Sequence, residues 1–320
     1  MSSHAPQPTQ SSTSIFGTSM VILTMLLTPH AYNYRSSVVG KPFHPPHRNV
    51  GQTDDQTSEG ICTIHKVKNC FCAIVFDTHT HMDTRPFEDF ELMGVAGVTD
   101  VLTLAHDPMR MSTADVLVDH FHKLVYSEVR RGAENGVNVH VGLGVHPRSI
   151  NDQIDTTLEL LPDYLAHPAV VAIGEIGLET CTDVEEKVFR AQLGINYYPK
   201  VIHTPRRAKR EVLEQIIAIV DDVGAKDVVI DHVDPSTIDV ALEAGTYIGI
   251  TVQPGKASVR EAVGMIIEYP EAKFVVNSDL SAQRSDCLSV ARVSQALTIE
   301  GYADRAHKAC VQNGRDLFLR

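Results

Sequence analysis

The sequence predicts an α/β protein, a (β/α)8 barrel of the TIM type preceded by a disordered N-terminal extension. Three observations carry that expectation. Eight apolar runs recur roughly every 30 residues from position 70 onward. Amphipathic stretches with a helical period lie between them. His, Glu and Asp gather at the C-terminal ends of the runs, where barrels of this kind keep their chemistry.

The first run, Cys70–Phe76, leads into Asp77-Thr78-His79-Thr80-His81-Met82-Asp83. In extended chain His79 and His81 share a face, so their imidazoles could share one metal ion. The later runs are Asp100–Leu104, Asn138–Gly142, Val170–Ile173, Lys200–Ile202, Asp227–Ile230, Tyr247–Thr251 and Lys273–Val276. They are apolar on both faces, as strands of a helix-covered parallel sheet must be. The helical stretches run from Ser112 to Glu134, Asp155 to Ala166, Arg206 to Val223, Val259 to Tyr269, Ser289 to Thr298 and Ala303 to Phe318. Another opens at Thr182-Asp183-Val184-Glu185, a capping-box pattern. An open, doubly wound sheet would want a Gly-rich phosphate turn after its first strand. Histidines stand there instead.

Residues 1–68 differ from residues 69–320, which form the barrel domain. The extension is rich in Ser, Thr, Pro, His and Gln and has no sustained period. Its apolar stretch, Ile15 to Leu27, is shorter than the ~20 residues a spanning helix needs. It also lacks the basic residues that precede the core of a secretory signal. The pair His44 and His47 belongs to a solvated Pro-rich segment, and the extension is expected to be dispensable. Six scattered cysteines form no CxxC pair, which fits a reduced, cytoplasmic setting without stable membrane association. Cys70 and Cys72 are expected to be packing residues. The net charge of −12 argues against a broad nucleic-acid-binding surface.

The strand ends carry the chemistry. His79 and His81 follow the first run, His146 the third, Glu175 and Glu179 the fourth, and His203 the fifth. Asp231 and His232 follow the sixth, and Asp279 the eighth. Imidazole and carboxylate without cysteine suit ions such as Zn, Mn or Mg. Two divalent ions bridged by one carboxylate would sit ~3.5–4 Å apart and hold a shared hydroxide. An aspartate beside it could orient that hydroxide and pass its proton to a leaving group.

The motifs Asp77-Thr78-His79-Thr80-His81-Met82-Asp83, Gly144-Val145-His146-Pro147 and Gly174-Glu175-Ile176-Gly177-Leu178-Glu179 occur in that order. Ile202-His203-Thr204-Pro205-Arg206, Asp231-His232 and Ser278-Asp279 follow them. Together they resemble the TatD-like branch of the metal-dependent amidohydrolase superfamily, over roughly residues 73–318. The resemblance implies two divalent metal ions. His79 and His81 would bind the first, Glu175 would bridge, and His203 and His232 would bind the second. Asp279 would ligate the first metal and handle the proton, making Asp279 and Glu175 the catalytic pair. His146 would contact a substrate oxyanion or phosphate. Glu179 stands where the family usually has Asp, and Asn277 replaces the acidic residue usual before the last motif.

One cue is independent of the family. Thr204 could cap, and Pro205 begin, the helix after the fifth strand. Arg206, Arg207, Lys209 and Arg210 then crowd its N-terminus. Cations there oppose the helix dipole, so Arg206 points to an anionic substrate, a small molecule or a nucleic-acid end. Three functions stay open: hydrolysis of phosphodiester bonds, in the manner of a TatD-type deoxyribonuclease; hydrolysis of a small amide, lactone or ester; and a non-catalytic, metal-stabilised barrel acting as a binding protein.

Overall fold

The computed structural model describes residues 74–320. The expected extension with its boundary at 68/69, the Ile15–Leu27 stretch, the His44/His47 pair, Cys70 and Cys72 all lie outside the described residues. Eight parallel strands follow one another in sequence order. They are β1 (Val75–Thr80), β2 (Val98–Leu104), β3 (Asn138–Leu143), β4 (Val170–Gly177), β5 (Lys200–His203), β6 (Val228–Val233), β7 (Tyr247–Thr251) and β8 (Lys273–Asn277). The ring closes at the C-terminal end of the strands. Asp279 N–H donates to His79 O at 3.0 Å and His81 N–H to Leu280 O at 2.7 Å. Ser278 adds its N–H and its Oγ–H to Asp77, at 3.0 and 2.5 Å. The closure therefore passes through the histidine stretch itself.

Helices separate the strands. They are α1 (Phe87–Val95), α2 (Ala114–His122), α3 (Val129–Glu134), α4 (Ile154–Leu165), α5 (Asp183–Leu193), α6 (Lys209–Val223), α7 (Ile238–Glu243), α8 (Val259–Glu268), α9 (Ser289–Ile299), α10 (Ala303–His307) and α11 (Asn313–Phe318). A π-helical segment, Lys123–Glu128, joins α2 to α3, and another, Lys308–Gln312, joins α10 to α11. Among the described residues no helix is long and apolar enough to cross a membrane. One apolar cluster lies between the strands and the helices and includes Val75, Phe121, Ile216 and Val290. A second is built from strand residues of the opposite facing, among them Phe76, Leu102, Val201, Val229 and Val275. Leu317 and Phe318 of α11 join this second cluster. The C-terminal helix thus plugs the barrel at the end away from the histidines. Gly314 permits that approach, because a Cβ there would lie 2.7 Å from Thr78 Cγ2 and 2.9 Å from the Phe76 ring.

Three local expectations need correction. The first strand runs from Val75 to Thr80 rather than ending at Phe76, so His79 lies inside it. The helix after β5 begins at Lys209, with Ala208 before it in left-handed conformation (φ 46°). Thr204 does not cap it; its hydroxyl donates to Asp231 O at 2.8 Å. The capping box at Thr182 is half-formed: Thr182 accepts from Glu185 N–H, but the Glu185 carboxylate turns back. It accepts the N–H groups of Glu179, Thr180 and Cys181 at 2.8–3.0 Å. Three such bonds to a carboxylate outweigh the single one a box would offer. A complete box forms at Ser258 and Glu261.

Asp100, at the start of β2, ties α11 to the barrel. It accepts from His140 Nε2 at 3.0 Å, Asn138 Nδ2 at 3.2 Å and Arg315 Nη2 at 2.6 Å. Burial acts to raise its pKa, but the His140, Arg315, Thr99 and Asn138 hydrogen bonds hold it well below the usual carboxylate range. A carboxyl depressed in the folded state contributes stability above its unfolded pKa of about 4, and loses it as pH falls toward the folded value. Asp100→Asn should cost about 1–3 kcal/mol at pH 7, and denaturant melts should show the gap to the native chain narrowing steadily as pH falls from about 5 toward the depressed folded value. A gap independent of pH would contradict this account.

Candidate metal centre

The six residues expected to bind metal converge at the C-terminal mouth of the barrel. His79 Nε2 and His81 Nε2 lie 3.2 Å apart. Glu175 Oε2 is 3.5 and 3.6 Å from them, and Asp279 Oδ1 is 3.7 and 3.2 Å. On the other side of the same carboxylate, Glu175 Oε1 is 2.9 Å from His203 Nδ1 and 3.0 Å from His232 Nε2. Glu175 therefore faces two separate groups of donors, one with each oxygen. Asp279 joins the first group.

Outer hydrogen bonds decide which nitrogens are free to ligate. His79 Nδ1–H donates to Asp231 Oδ2 at 2.5 Å, and His81 Nδ1–H to Leu104 O at 3.0 Å. Both Nε2 atoms thus turn toward the site. His203 Nε2–H donates to Glu179 Oε2 at 3.0 Å, which leaves Nδ1 facing Glu175. For His232 the direction follows from a chain of bonds. Asn277 Nδ2 donates to Asp231 Oδ1 at 2.8 Å, so Asn277 Oδ1 accepts from Thr251 Oγ1, also at 2.8 Å. Thr251 Oγ1 must then accept from His232 Nδ1–H, at 2.8 Å. The Nε2 lone pair is left for the site. Partners of this kind, on the nitrogen away from the ion, are what metal-ligating histidines require.

Backbone geometry brings Asp231 and His232 inward together. Neighbours in a regular strand point to opposite faces. Here the β6–β7 register shifts between Ile230 and Val233, and His232 takes φ 63°. Asp279 is also left-handed, at φ 44°. Strained backbone of this kind concentrates at functional sites.

Burial and charge tune the donors. Burial acts to raise the Glu175 pKa, yet the facing His79 and His203 hold it well below its usual range. Burial and the Lys256 ammonium push His232 down to about 4, so its ring is uncharged at neutral pH and carries a single N–H. Burial opposes a proton on His79, but Glu175 and Asp231 outweigh it and hold its pKa well above the usual value. A cation between these donors would take the place of the proton that the two carboxylates favour on His79. His146, fully buried, is neutral because burial lowers its pKa. Its Nδ1 accepts from Arg148 N–H at 3.1 Å. That leaves a buried Nε2–H without a partner among the described residues, 4.0 Å from Glu175 Oε2. The orphaned donor and the converging lone pairs both fit a cation-holding site that receives an anionic oxygen.

Beside this centre, Asp83, His106 and His120 form a second cluster. Asp83 accepts from His106 Nε2 at 3.1 Å, and His120 Nε2 accepts the His106 N–H at 3.3 Å. Burial drives His120 down to about 3; against burial, His106 and His120 draw Asp83 down to about 2. With these atoms committed, the cluster braces His81, whose ring lies 4.0 Å from that of His106.

The site opens into a cavity of about 510 Å³ whose wall includes Arg148, Arg206, Arg207 and Lys256. Arg206 stands on that wall, whereas His146 is buried (1% exposed) behind the residues that line the cavity. Sequence reading missed Lys256, Thr251 and the work done by Asp231, Asn277 and Glu179. Asp231 and Asn277 sit beside ligand residues at strand ends, which was the available signal. Lys256 lies in a turn, where strand-end reasoning gives none.

A parallel barrel with histidines and carboxylates gathered at the C-terminal strand ends belongs to a metal-dependent hydrolase. Residues 76–307 match the family described as TatD related DNase, and the chain belongs to that family. It is similar to an uncharacterized metal-dependent hydrolase of Methanocaldococcus jannaschii, 40% identical over 251 residues, which cover 77% of this chain and all of that protein. The crystal structure of a TatD-like protein from Archaeoglobus fulgidus superposes with a TM-score of 0.66 at 29% identity, covering 77% of this chain and all of that one. Dihydroorotase from Saccharomyces cerevisiae shares the fold at a TM-score of 0.56 and 8% identity, over 78% of this chain and 85% of that one.

Asn277→Leu removes both bonds that link His79 and His232 through Asp231 and Thr251. The variant should bind Mn or Zn on the order of 10–100-fold more weakly in competition with a chromophoric chelator. Native affinity in this variant would show that the histidines are oriented without the chain.

Proposed function

We propose that this protein hydrolyses phosphodiester bonds of a short or terminal anionic substrate, a small molecule or a nucleic-acid end, with two divalent ions in the site. One observation supports this reading above the others: a cation-lined wall stands over the ligand cluster of an acidic protein. Of the four basic residues after β5, Lys209 pairs with Asp234 and Arg210 with Asp239. Arg206 and Arg207 line the cavity instead. Among the described residues no carboxylate pairs with either. Arg206 is held by two neutral oxygens, Gln253 Oε1 at 3.2 Å and Gln283 Oε1 at 3.3 Å. Its charge is positioned but not neutralised.

In this reading His79, His81, Glu175 and Asp279 would hold one ion, and Glu175, His203 and His232 would hold the other. Such ions supply Lewis acidity and make water nucleophilic near neutral pH. Asp279 Oδ1, on the side of the first pair of histidines, orients the attacking water and takes its proton. His146 Nε2–H donates to an anionic phosphoryl oxygen. Arg206 binds the charge outside the reacting bond. The net charge of −12 agrees with a short substrate rather than a long duplex.

The test is a panel with Mn, Zn and Mg supplied in turn: bis(p-nitrophenyl) phosphate, p-nitrophenyl acetate and a nitroanilide. Phosphodiester turnover should dominate. Arg206→Ala should lower kcat/KM for the diester on the order of 10–100-fold and leave the neutral ester nearly unchanged. Turnover of ester or anilide alone would assign the site to amide or ester hydrolysis; no turnover with any metal would favour a binding role. An unaffected diester in Arg206→Ala would remove the argument from the basic cluster.

A further inference from the structure

Lys256 is a buried charged group on the cavity wall that the proposed reaction leaves without a role. It follows β7 in a tight turn, where Gln253 N–H donates to Ala257 O and Lys256 N–H to Gln253 O, at 3.2 and 2.9 Å. Gly255, at φ 83°, supplies the left-handed residue of that turn. The turn is anchored to the site, because Gln253 Nε2 donates to Asp279 O at 2.7 Å. It carries Lys256 inward until only 8% of the side chain is exposed. The ammonium donates to Asp279 Oδ2 at 2.6 Å and lies 3.0 and 3.3 Å from the two ring nitrogens of His232.

A buried ion pair is a weak source of stability, because desolvation consumes most of the Coulombic gain. A cation placed this deep calls for another reason. Asp279 divides its oxygens, with Oδ1 toward His79 and His81 and Oδ2 on Lys256. Four carboxylates stand at the centre, Glu175, Glu179, Asp231 and Asp279, and two divalent ions would balance them. Lys256 and Arg206 then leave the site net cationic. Both come from the same side, since Gln253 of the Lys256 turn also holds Arg206.

We propose that Lys256 is a further substrate-binding residue, whose ammonium contacts a phosphoryl oxygen of the bound anion beside Asp279. This rests on the reading of the substrate as a phosphate ester, and inorganic phosphate serves as a probe that does not depend on turnover. Phosphate affinity is measured by calorimetry on the Mn-loaded full chain, with Mn content determined on the same samples. Lys256→Met should bind phosphate at least about 10-fold more weakly, as expected for a lost charge-assisted hydrogen bond, at native Mn content. Lys256→Arg should bind within about threefold of the native chain, because the positive charge beside Asp279 is kept. Lys256→Gln, polar and of similar length, should fall with the Met variant.

Equal phosphate affinity in the native chain and Lys256→Met would overturn the proposal. So would a loss of phosphate binding that merely follows a loss of Mn, since Lys256 would then act only by holding Asp279. If phosphate binds through Lys256 while no phosphodiester is cleaved, the proposed function fails and the binding role stands.

Discussion

The carboxylate of Glu175 is the constraint on which the rest of the structure depends. It is 3% exposed and lies among four histidines, with one oxygen near His79 and His81 and the other near His203 and His232. A charge buried this deeply is costly unless it is compensated. The compensation comes from three other strands, so the site and the barrel's mouth form one unit. The closure of the ring runs through the same residues, since the backbone of His79 and His81 bonds to Asp279 and Leu280. Moving any one of these strands would disturb both the fold and the site.

Around that charge, the hydrogen bonds have a consistent direction. Asn277 donates to Asp231 and accepts from Thr251, and these two fix the protons on His79 and His232. Glu179 does the same for His203, and a backbone carbonyl for His81. The two departures from the family pattern thereby acquire physical roles. Glu179 reaches the far nitrogen of His203. Asn277 offers both a donor and an acceptor, which a carboxylate in its place could not do. The inward-facing nitrogens are therefore prepared for a cation before one arrives, which is the preorganisation that electrostatic catalysis needs.

Much of this was legible in the sequence, and the reasons are specific. The eight runs are apolar on both faces, and a chain with that pattern has few other ways to bury them. All six expected ligands come together because each lies in the last residues of a strand or just after it, and strand ends of a parallel barrel share one rim. The failures were local. The first strand extends through Thr80 because the closing bonds with residues 278–280 hold it extended. Asp231 and His232 both point inward because of a register shift and a left-handed residue, which a period of two cannot anticipate. The helix after β5 starts late because Thr204 bonds to Asp231 O instead of capping. Lys256 was hidden because a turn, rather than a strand end, delivers it.

Under the proposed function, the buried carboxylate of Glu175 would bridge two cations at the mouth of the barrel. Anomalous diffraction from crystals soaked in Mn tests it directly. Two peaks ~3.5–4 Å apart are expected, one beside each oxygen of Glu175, the first contacting His79 and His81 and the second His203 and His232. A single peak, or peaks that do not touch Glu175, would contradict it.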